Sequence, residues 1–68
     1  MQGIYVFKRY NGGKVYLNML KILYVTEFVL QNGDRGTIAT FPYEDNERLD
    51  VPVEDFIELW REAIASTR

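Results

Sequence analysis

Apolar and polar residues follow a short period over most of this chain and a helical one at its C-terminal end. From Asp50 onward the sequence reads D-V-P-V-E-D-F-I-E-L-W-R-E-A-I-A-S-T-R. Phe56, Ile57, Leu59, Trp60, Ala63 and Ile64 fall on one arc of a 3.6-residue helix, and Glu54, Glu58, Arg61, Glu62 and Ala65 on the other. The apolar stripe is wider than a coiled-coil seam, which suits a helix lying across a sheet or plugging an open barrel. Pro52 suits the helix start. Glu54 and Asp55 match the positive end of the helix dipole and Arg68 the negative end. The spacing predicts a helix over 53–66 with Trp60 at the centre of the buried stripe.

The remaining residues, 3–53, read as a sheet within one domain spanning 1–68. I-Y-V-F-K-R-Y at 4–10 is β-branched and aromatic, and its continuous apolar start suggests a strand covered on both faces. Asn11-Gly12-Gly13 marks a hairpin turn into Lys14-Val15-Tyr16-Leu17. Residues 18–25 fit helix or strand equally by spacing; a turn over 18–21 and a strand over 22–31 are expected, with the Asn18 side chain bonding its own backbone. Asn32 to Gly36 forms the second hairpin, Thr37 to Phe41 the return strand, and Pro42 its end. After a third turn, Arg48 to Val53 alternates with Leu49, Val51 and Val53 inward. The fold class is α+β, mainly β: a small curled antiparallel sheet, or SH3/Sm-like open barrel, of four to five strands with one C-terminal amphipathic helix.

Composition narrows the function more than the fold. A 68-residue chain with neither cysteine nor histidine has no disulfide, no thiolate or imidazole metal site and no histidine base. Its stability must come from a rich core, at 47% hydrophobic residues, or from self-association. The N-terminal M-Q-G-I-Y-V-F-K-R lacks the order of a signal peptide, and charges interrupt every apolar stretch, so a cytoplasmic location is expected. Residues 1–43 carry five cations against two carboxylates, and residues 44–68 eight carboxylates against three cations. That asymmetry is expected to be spent inside the fold, an acidic helix attracting a basic sheet.

No catalytic, cofactor-binding or metal-ligating residues emerge, and a non-enzyme is expected. Ser66 is near the end of the chain, and the Glu44/Asp45 and Glu54/Asp55 pairs suit a solvated turn and a helix start. Asp45-Asn46-Glu47 lacks the spacing of a calcium loop. The remaining material is aromatic, at 15% of residues. Lys8, Arg9, Tyr10, Lys14, Tyr16 and Tyr43 form the candidate interaction surface. Tyrosine beside cations suits a protein partner or a second copy of the chain. The alternative is a nucleic-acid-binding small β-barrel, with tyrosines stacking on bases; a pI near 4.9 disfavours it.

The run N-G-G-K-V-Y-L-N at 11–18, followed by Ile22 and Val25 four and seven positions beyond Asn18, resembles the small flagellar-operon proteins of the FlbD/SwrD type. Their ending, a hairpin, a short strand and a Glu-rich helix start, is similar to L-D-V-P-V-E-D-F-I-E-L-W here. That strand-to-helix ending also looks like that of LytTR-type DNA-binding domains. Met19 stands where the FlbD pattern has proline, and Phe28 to Gly36 looks like an insertion. The resemblance implies a non-enzymatic accessory protein supporting motility, and it carries over no catalytic residue. A phage-encoded inhibitor of a host protein would share the same compactness and lack of an active site.

Overall fold

The computed structural model describes residues 3–66, so Arg68 and the first two residues lie outside the described residues. Strands β1 (Ile4–Lys8), β2 (Lys14–Asn18), β3 (Tyr24–Val29), β4 (Arg35–Thr40) and β5 (Asn46–Leu49) precede one helix, α1 (Val53–Ala65). β1 and β2 form a two-stranded antiparallel sheet; β3, β4 and β5 form a three-stranded one. The two sheets meet at a bridge between Arg9 and Leu49. There the Tyr10 amide donates to the Arg48 carbonyl at 3.1 Å and the Asp50 amide to the Lys8 carbonyl at 2.8 Å. The result is one curled ladder, β2-β1-β5-β4-β3, open between β2 and β3.

The opening follows from the connection. Counting antiparallel steps along the ladder puts β2 and β3 in the same sense, so closing the barrel would need a parallel pairing. Parallel neighbours take a crossover of about a dozen residues or more. Here Met19 to Leu23 is all the chain provides, a single 3₁₀ turn over Met19–Lys21, then Ile22, which is extended, and Leu23. Asn18 caps that turn through its side chain, Oδ1 accepting from the Leu20 amide at 3.1 Å. Met19 is fully buried, and its amide donates to the Gly3 carbonyl at 2.7 Å. The hairpin turns use glycine where the backbone turns left-handed, at Gly12 (φ 107°) and Gly33 (φ 91°).

The core is Phe7, Leu17, Met19, Ile22, Ala39, Leu49, Phe56 and Ala63. Phe56, not Trp60, is its centre: Phe56 is fully buried and stacks at 5.0 Å on Phe7. Trp60 flanks it at 6.5 Å and stays half-buried. The helix sits over the Met19–Lys21 turn and β4 with Phe56 downward, which tips Trp60 and Ile64 toward its rim. Thr37 is the buried polar residue among these, its hydroxyl donating to the Val51 carbonyl at 2.8 Å.

Three expectations need correction. β1 is not covered on both faces: Tyr5 and Phe7 point in, while Ile4 and Val6 face solvent, because a sheet this small has one covering helix and one core. The last strand runs over Asn46–Leu49 rather than 48–53. Leu49 still points inward, but the chain leaves the ladder at Asp50 to reach Pro52, whose carbonyl accepts from the Phe56 amide at 3.1 Å. The charge halves attract strand to strand, through Lys8–Asp50 at 3.7 Å and Arg9–Glu47 at 3.2 Å. Glu54, Asp55, Glu58 and Glu62 stay on the exposed side of α1.

Candidate functional site

The register of the β1–β2 hairpin decides which of the candidate residues meet. Lys8 lies opposite Lys14, Val6 opposite Tyr16 and Ile4 opposite Asn18. Side chains alternate along each strand, so Ile4, Val6, Lys8, Lys14 and Tyr16 share the outer face. Val6 is 51% exposed and Tyr16 72%. The face is an apolar strip at one end and a pair of ammonium groups at the other.

Tyr10 continues this face past the bridge to β5. Its ring meets Phe28 edge-on at 6.3 Å, and the Arg48 guanidinium lies 5.9 Å from its centroid. Phe28 sits directly over Gly36, where an added Cβ would come within 2.6 Å of the ring. Tyr10 is therefore half engaged with its own fold. Between the two hairpin turns, Tyr10, Asn11, Leu30, Gln31, Asn32 and Asp50 line a shallow cleft of about 320 Å³.

Arg9 and Tyr43 stand apart from this group. Arg9 projects to the opposite side of β1, with Nε 3.2 Å from Glu47 Oε1. That contact is too poorly aligned to satisfy the buried Nε as a hydrogen bond, and Nη2 donates to Glu47 Oε2 at 3.5 Å instead. Tyr43 lies on the β4–β5 connection, 97% exposed and left-handed at φ 71°. A non-glycine residue there is strained by about 1–2 kcal/mol.

Ile4, Val6 and Arg48 are the members that sequence reasoning missed. Their signal was present: Ile4 and Val6 alternate with Tyr5 and Phe7, and a domain with one helix can cover only one parity. Among the described residues, no three Asp or Glu side chains gather as metal ligands do, and no helix is long and apolar enough to cross a membrane. No family model, curated protein or solved structure matches the chain.

Proposed function

We propose that this protein is a non-enzymatic binding module of the cytoplasm whose partner is another protein, docked on the outer face of the β1–β2 hairpin. The observation that carries the reading is the cross-strand pair of Val6 and Tyr16, exposed side by side with Ile4, beside Lys8 opposite Lys14. Packing against the core explains none of these side chains. An apolar strip ending in two ammonium groups fits a partner surface with apolar side chains next to carboxylates. A setting beside the flagellar motor rests on the N-G-G-K-V-Y-L-N likeness alone, and a phage-type inhibitor of a host protein would need the same kind of surface.

The nucleic-acid alternative would use Lys8, Arg9, Tyr10, Lys14 and Tyr16. Two observations weigh against it: Arg9 is held by Glu47, and the Tyr10 ring is half engaged by Arg48 and Phe28. The test is affinity capture from a bacterial lysate with the wild type beside a Val6→Ser/Tyr16→Ser variant. A protein retained by the wild type and lost from the variant supports the reading. Equal capture by both moves the site off this face. Binding to single-stranded DNA that weakens steeply with salt replaces the protein partner with nucleic acid.

A further inference from the structure

We infer that the open edge of β3 pairs with β3 of a second copy, antiparallel, about a two-fold axis at Thr26. Leu30 donates its amide to the Asp34 carbonyl, which fixes the alternation along this hairpin. Tyr24, Thr26 and Phe28 turn their backbone groups to β4, and Val25, Glu27 and Val29 turn theirs to the open side. β3 has β4 as its one neighbour in the sheet. Its flanks are apolar and in water: Leu23 and Tyr24 are exposed, and Val29 is 68% exposed.

Edge strands in monomers usually carry a guard, such as a charged side chain, a proline or a bulge. From Leu23 to Val29 there is no lysine or proline, and the one charge, Glu27, is paired with Arg35 at 3.5 Å within its own sheet. The other open edge, β2, carries Lys14, whose ammonium discourages strand addition. The two edges therefore differ in kind.

The occupant follows from the sequence of the edge itself. A two-fold interface must be self-complementary, residue i meeting j and j meeting i. L-Y-V-T-E-F-V at 23–29 is nearly symmetric about Thr26, Tyr24 matching Phe28, with Val25 against Glu27 the exception. In that register Tyr24 lies opposite Phe28 of the second copy and Thr26 opposite Thr26, favourable cross-strand pairs, while Leu23, whose amide donates to the Thr40 carbonyl at 2.8 Å, stays with its own sheet. The one charged side chain, Glu27, meets Val25 and keeps its own partner, Arg35, at 3.5 Å. Shifting the axis to residue 27 would set Glu27 against Glu27, so the carboxylate selects the register. The interface uses the backbone edge of β3 rather than the outer face that carries Val6 and Tyr16, and does not depend on the partner proposed for them.

Thr26 side chains at the axis form a non-hydrogen-bonded pair, whose α-carbons stand about 4.5 Å apart, within the span of about 4.4–6.8 Å that a disulfide bridges. The chain has no cysteine of its own, so Thr26→Cys introduces a single thiol. Oxidation should convert this variant to a covalent dimer at least ten-fold faster than Glu27→Cys, whose thiols would lie on the other face and out of line. Sedimentation equilibrium of the wild type should give a dimer with a dissociation constant between about 1 and 500 µM, because one strand pair is at the low end of interface sizes. Thr26→Lys should shift it to monomer, and mixing Thr26→Lys with Thr26→Glu should restore a dimer containing one of each. A wild-type monomer at 500 µM, equal cross-linking of the two cysteine variants, or a mixture that stays monomeric would each overturn the inference.

Discussion

The two sheets of this molecule share one ladder and one core but treat their outer faces differently. At the turn end of the three-stranded sheet the outer side chains pack: Phe28 on Gly36, with Tyr10 against the edge of Phe28 and Arg48 over Tyr10. In the β1–β2 sheet, Val6 and Tyr16 face each other with nothing laid over them. Side chains of similar β propensity thus serve stability in one sheet and stay available in the other. Exposed apolar area by itself does not distinguish the two uses; what lies on top does.

The largest effect should come from the core that both sheets share. Phe56→Ala should cost about 3–5 kcal/mol, a large part of the stability of a domain this small, and unfold it in a thermal melt followed by circular dichroism. Trp60→Ala, removing a half-buried ring, should cost about half as much. Equal losses at the two positions would restore Trp60 to the centre.

The next effect separates the sheets. A Cβ at Gly36 would stand 2.6 Å from both the Leu49 carbonyl oxygen and the Phe28 ring. Gly36→Ala should lower stability by about 1–3 kcal/mol in urea denaturation, and adding Phe28→Ala should relieve part of that, since the backbone oxygen cannot move aside as a ring can. The smallest effect belongs to the hairpin. Val6→Thr with Tyr16→Thr should change stability by less than about 1 kcal/mol while abolishing capture of the partner. If the hairpin pair cost as much as Gly36→Ala, its outer face would be structural and the contrast between the sheets would vanish.

Much of this arrangement was legible in the sequence. The helix stripe, both glycine turns, the Asn18 turn and the inward Leu49 are local signals, set by residues within a turn or a period of one another. Two kinds of information were not local. Which parity of Ile4 to Phe7 faces water depends on the single helix being committed to the other side. Where β5 begins depends on β4, since Asn46 is a strand residue through its pairing with Thr40. Of the candidate surface, Lys8, Lys14 and Tyr16 converge because the Asn11-Gly12-Gly13 turn sets their register. Arg9 points away because it is one residue out of step.

The bridge at Arg9 and Leu49 has a kinetic meaning. Every named strand pairing joins neighbours in the chain, β1 with β2, β3 with β4 and β4 with β5, whereas this bridge spans forty residues. Hairpins form in about 1–10 µs, and contacts between distant residues come later because their loop must be closed first. Each half of the ladder can assemble on its own clock. Folding then waits on one long-range encounter, which seats Leu49 against Phe7 and Leu17 and lets Phe56 close over them.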